Sequence, residues 1–155
     1  MIALALLLAA APPLPVAAPP LPALTGRIVD NAALLPPAAE ARLAGRLARY
    51  EQRTHHQFVV VTVPSLGGET IEAFGKRLGN GWGIGRKGID DGLLMIVAPN
   101  ERKVRIAVGH GLERRLPDAA AAAIIAHDLV PAFAKGDFAG GIERGADAVM
   151  AAVPD

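Results

Sequence analysis

The residues whose types could do chemistry gather in two glycine-rich stretches. One is Gly79-Asn80-Gly81-Trp82-Gly83-Ile84-Gly85-Arg86-Lys87-Gly88-Ile89-Asp90-Asp91-Gly92, which ends in paired carboxylates and runs straight into an apolar segment. The other is Gly109-His110-Gly111-Leu112-Glu113. Asp90, Asp91 and Glu113, carried on flexible loops rich in backbone carbonyls, make an oxygen donor set of the kind Ca2+ accepts, with Mg2+ as the alternative ion. A structural reading stands beside it, because Asp-Asp-Gly also simply turns a chain into a strand. Lys87, Arg114 and Arg115 are placed to neutralise the same acids as ordinary surface pairs.

Residues 83–88 spell Gly-x-Gly-x-x-Gly, the dinucleotide fingerprint. That motif works where a loop leaves a strand and opens a helix, whose free amides then hold the pyrophosphate. Here the loop follows a helical pattern and feeds a strand, so no nucleotide cofactor is expected.

The remaining reactive side chains are sparse. The chain has no cysteine, which excludes disulfides, thiolate metal sites and cysteine nucleophiles. Ser65 is the single serine and lacks the Gly-x-Ser-x-Gly elbow. His110, between glycines, reads as an exposed loop residue rather than a phosphoryl acceptor. His127-Asp128 are adjacent on a helix and point apart. His55-His56 close a helix, where a cation suits the dipole, and neither pair has zinc spacing. Trp82, the single tryptophan, is expected to anchor the glycine loop on the core.

Several elements must position these groups. Arg27-Ile28-Val29 reads as an edge strand. Pro36-Pro37 start a helix that carries Leu43, Leu47 and Tyr50 on one face and Arg42, Arg46, Arg49 and Arg53 on another, the latter read as a solvated basic stripe. Residues 57–63 read as a strand buried on both faces, 70–78 as a helix, and 93–98 as a second buried strand. Strand, helix and strand in that order make a parallel crossover. Residues 103–108 alternate polar with apolar and return after the turn at 99–102 as an antiparallel hairpin partner. That hairpin brings Asp90 and Asp91 beside Gly109 to Glu113. A helix from Pro117 is closed or kinked at Pro131, and a last helix spans about 138–152. The sum is an α/β layered domain with a small mixed sheet and helices on both faces.

Composition bounds the rest. The 155 residues allow one domain with a proper core, and 16 Lys+Arg against 15 Asp+Glu give a net charge of +1, which offers nucleic acid no electrostatic case. The first charged residue is Arg27. Met1 to Ala11 is too short to span a bilayer but suits the apolar core of a secretory signal, with small residues at Val16-Ala17-Ala18 for cleavage, although no Lys or Arg precedes it. Residues 1–23 are therefore expected to be a signal peptide and proline-rich linker, and 24–152 the domain. Export to the periplasm or beyond follows from that expectation.

In order along the chain, the segments Ile28-Val29-Asp30-Asn31 with Leu34-Leu35, Gln57 to Val63, Asn80-Gly81-Trp82-Gly83-Ile84-Gly85, Asp90-Asp91-Gly92-Leu93-Leu94, Gly109-His110-Gly111-Leu112-Glu113, and Gly136-Asp137-Phe138 with Gly140-Gly141-Ile142 resemble the TPM domain family of bacterial envelope proteins and a plant thylakoid-lumen protein. The resemblance covers roughly residues 24 to 152. It implies an αβα sandwich with a Rossmann-like core outside the cytoplasm. It also implies Ca2+ binding, partners among envelope or membrane proteins and, for the plant relative, acid phosphatase activity. Asp30, Asp90, Asp91 and Glu113 match the family's acidic positions. Thr54-His55 stands where Thr-Gly is common, and His110 where an aromatic is common. Relatives often carry a glycine-rich tail and a membrane helix; neither follows here, so a soluble single-domain form without a membrane anchor is expected. Two functions compete: a Ca2+-ordered binding module that needs no nucleophile, and a metal-assisted phosphatase.

Overall fold

The computed structural model describes residues 12–13 and 17–155. The apolar run expected to be a signal core, and Val16 of the expected cleavage region, lie outside the described residues.

Four strands form one sheet in the order β1 (Ile28–Asp30), β2 (Phe58–Thr62), β3 (Leu93–Ala98), β4 (Lys103–Val108), the first three parallel and the last antiparallel. Register pairs Ile28 with Val60, Phe58 with Leu93, and Leu93 with Val108. Every residue of β2 and β3 is buried, because alternate side chains feed two separate cores. Phe58, Val60, Leu93, Met95 and Val97 pack on one face, against α1 (Pro37–Thr54) and α5 (Phe138–Ala152). Val59, Val61, Leu94 and Ile96 pack on the other, against α2 (Ile71–Trp82). The result is the layered αβα arrangement expected from the run of elements.

Local chemistry explains the helix ends. Pro37 opens α1 at a position whose N–H would be unpaired anyway. Thr70 caps α2 by accepting from the Ala73 amide at 3.1 Å. Three members of the solvated Arg stripe of α1 also pair: Arg42 and Arg46 reach Glu143 at 3.0 and 3.1 Å, and Arg53 reaches Asp155 at 3.0 Å. Tyr50 donates to the Val153 carbonyl at 2.8 Å, and burial pushes its hydroxyl up to about 12.

Two boundaries depart from the sequence reading. Helix α2 runs on to Trp82 instead of stopping at Leu78, taking Gly79 and Gly81 into the helix. Tertiary contact overrides their low propensity: the Trp82 indole donates to the Pro22 carbonyl at 2.9 Å, and Leu21 packs where a Gly81 side chain would stand. Trp82 thus packs on the core as expected and also pins the proline-rich segment. The second concerns Pro131. The helix α3 (Asp118–Ile124) passes through one π-helical turn, Ile125–Leu129, into α4 (Val130–Ala134). Widening the turn lets the chain continue past a residue that has no N–H to give.

Candidate functional site

The hairpin brings the two glycine loops together at the end of the sheet where β3 begins and β4 finishes. Gly109 donates to the Gly92 carbonyl at 2.8 Å and Gly111 to the Asp90 carbonyl at 3.0 Å. The approach is so close that a Cβ on Gly109 would run into the Asp90 carbonyl oxygen, and one on Gly111 into that of Ile89. Only glycine fits either position. Gly83 ends α2 in the left-handed conformation and β3 follows, so the Gly-x-Gly-x-x-Gly run opens no helix and has no amide cradle for a pyrophosphate.

Asp90 and Asp91 are adjacent but differ in every physical respect. Asp91 is buried, with 1% exposure. Its Oδ1 accepts from the Arg86 amide at 2.8 Å, and its Oδ2 from Arg86 Nε at 2.7 Å, with His56 Nδ1 3.2 Å away. Burial alone would raise its carboxyl pKa; the Arg86 side-chain and backbone hydrogen bonds, with help from His56, outweigh that and hold it at about 2. Asp90 sits in the left-handed region at φ 53, which Asp tolerates, and is exposed. Its backbone amide bonds Arg86 and its carbonyl Gly111, while its carboxylate has no hydrogen-bond or ion-pair partner among the described residues.

Glu113 is exposed on the facing loop, past the short 3-10 turn His110–Leu112, and its Oε1 lies 2.8 Å from His110 Nδ1. A shallow cleft of about 220 Å³ opens beside the two loops, lined by Lys76, Asn80, Asp90, Gly109 and His110 among others.

Asp30 stands elsewhere. It ends β1, in register with Thr62 near the opposite end of the sheet. Its Oδ1 accepts from the Leu34 amide at 3.0 Å and from the Thr62 hydroxyl, and its Oδ2 from the Leu35 amide at 2.8 Å. These bonds fold the loop that leads into α1. The four acids do not converge, and among the described residues no group of three or more His, Asp or Glu side chains is arranged to hold a metal ion. Both oxygens of Asp30 and of Asp91 already accept from protein donors, which leaves each fewer lone pairs for an ion. The Asp90 carboxylate has no such partner among the described residues, and Glu113 has one oxygen beside His110 and the other open.

Sequence reasoning missed His56 and Arg86. The signal for His56 was the strand register: extending the Phe58–Leu93 pairing back two residues sets His56 beside Asp91. His55 takes the left-handed C-cap of α1 at φ 63, which turns the chain and delivers His56 inward. Arg86 carries no comparable signal, because the loop that folds it back is irregular.

A family model described as the TPM domain matches residues 28–152. No curated protein sequence matches significantly. Among solved structures, the N-terminal domain of a protein from P. gingivalis is similar at 37% identity and a TM-score of 0.75, covering 83% of this chain and 82% of that one. The N-terminal domain of the cg2496 protein from Corynebacterium glutamicum shares the fold at 18% identity and a TM-score of 0.65, over 90% and 87% of the two chains. The BA42 protein from Bizionia argentinensis does so at 15% identity and 0.65, over 76% and 80%.

Proposed function

This chain belongs to the TPM domain family, and on that premise we propose that it is an extracytoplasmic binding module whose acidic loop edge takes Ca2+ and engages protein partners of the cell envelope. The observation that carries the reading is the division of labour between neighbouring carboxylates. Asp91 is spent on holding the glycine loop, and Asp90, fixed by that loop, is left to solvent facing the strand-end loop that bears Glu113. Two carboxylates plus loop carbonyls and water suit the loose geometry of Ca2+ better than the strict octahedron of Mg2+. So few charged donors place the affinity among weak extracellular sites, with Kd on the order of 10⁻⁴–10⁻³ M. Ca2+ bound there would bridge the two loops and remove negative charge from the edge a partner meets.

The exported setting rests on the apolar, uncharged N-terminal stretch. Among the described residues no helix is long and apolar enough to cross a membrane. Phosphomonoester hydrolysis gains no support from the arrangement: Ser65 donates to Glu101 at 2.6 Å beyond the other end of β2, away from the cleft.

Calorimetric titration with Ca2+ tests the proposal. The native protein is expected to bind weakly and saturably, and Asp90→Asn with Glu113→Gln to bind at least about tenfold less tightly. No saturable binding by the native protein would refute the cation reading.

A further inference from the structure

We propose that the groove at the carboxyl end of β3 binds a small amphiphilic anion, a medium-chain fatty carboxylate with its head at Arg102 and Lys103 and its chain along Val130, Phe133 and Phe138. The groove encloses about 560 Å³, within the roughly 300–1,000 Å³ of small-molecule sites. It lies at the carboxyl end of β3, beside the turn into β4.

Most of its lining side chains are hydrocarbon. Val97, Ala98, Pro99 and Val104 come from the hairpin, while Val130, Phe133, Ala134 and Phe138 come from the helices above it. The rings of Phe133 and Phe138 sit 5.0 Å apart. Val130 is 51% exposed, one of three large hydrophobics so exposed among the described residues. The π-helical turn ahead of it sets this position, since the Val130 amide bonds back to Ile125 and the following helix is rotated accordingly.

The mouth is cationic. Arg102 and Lys103 are exposed and make no ion pair among the described residues. Glu101, next to them, is turned away: its Oε1 accepts from the Ser65 hydroxyl at 2.6 Å and the Leu66 amide at 2.9 Å. Arg102 holds φ 54 in the hairpin turn, a conformation that favours glycine. Apolar walls call for an apolar body, and uncompensated cations at the opening call for an anion. Apart from Arg102 and Lys103, the lining side chains carry no hydrogen-bonding group, which suits a hydrocarbon body.

The test is an amide-shift titration of the intact protein with decanoate, in calcium-free buffer and below the fatty acid's aggregation threshold. Saturable shifts confined to residues 97–104 and 130–138 are expected. Decanol, of equal length but neutral, is expected to bind at least about tenfold more weakly. Arg102→Gly with Lys103→Gln is expected to weaken decanoate by a similar factor while leaving the thermal midpoint unchanged or raised, because glycine relieves the left-handed backbone. Val130→Asp, at an exposed position, should abolish binding in a folded protein. No saturable shift, equal binding of decanol, indifference to the double substitution, or tighter binding of a short peptide through its C-terminal carboxylate would each overturn the proposal.

Discussion

The two ends of the β3–β4 hairpin carry opposite chemistry on the same scaffold. At the open end, Asp90 and Glu113 face solvent from loops locked by backbone hydrogen bonds; at the turn end, Arg102 and Lys103 face solvent above an apolar groove. Each end also has a committed acid whose work is internal, Asp91 at the first and Glu101 at the second. What separates a structural carboxylate from an available one is therefore the count of protein donors already on its oxygens. Residue type and position in the chain do not decide it, as Asp90 and Asp91 show side by side.

The largest effects should come from breaking the committed groups. Gly111→Ala puts a methyl into the Ile89 carbonyl and wedges the loops apart; urea unfolding should show a loss of about 3 kcal/mol, and a loss under about 0.5 would mean the loops yield. Asp91→Asn leaves Arg86 and His56 without their shared carboxylate. A loss of about 2–3 kcal/mol is expected, held below the full cost of a buried broken pair because Arg86 is half-exposed.

Acid provides a subtler version of the same break. The Asp91 carboxyl is held at about 2 in the folded state, below its ordinary value of about 3.9. Its contribution is present above about pH 4 and is lost as pH falls through about 2, a change of about 2 kcal/mol. Stability measured from pH 5 to pH 2 should fall less steeply in Asp91→Asn than in the native protein; parallel curves would remove the carboxylate from this role. Smaller still, Trp82→Phe gives up one hydrogen bond to Pro22 and should cost about 1 kcal/mol. Limited proteolysis should then cut faster within residues 17–24.

Much of this was legible in the sequence. Continuous β-branched runs marked β2 and β3, the hairpin followed from their spacing with β4, and strand order disposed of the dinucleotide fingerprint. The convergence of the two glycine loops was readable because an antiparallel register leaves no other place for them. The partition of the acids was not legible. It depends on Arg86 folding back through an irregular loop and on a left-handed His55 turning His56 inward, and neither follows from periodicity. Asp30 matched a motif, yet its three bonds show a residue that builds a loop. The extension of α2 to Trp82 was hidden for a similar reason, since it depends on contacts with residues about 60 positions earlier.

The most direct measurement is a Ca2+ titration of Asp90→Asn beside Asp91→Asn, with the amides of Gly109 to Glu113 as reporters and an unfolding curve for each variant. Asp90→Asn is expected to keep native stability within about 0.5 kcal/mol and lose the Ca2+ response, because Asn retains the left-handed backbone but not the charge. Asp91→Asn is expected to lose stability yet, while folded, to respond to Ca2+ much as the native protein does. An undiminished Ca2+ response in Asp90→Asn, or its loss in a folded Asp91→Asn, would contradict the assignment of one acid to the ion and its neighbour to the fold.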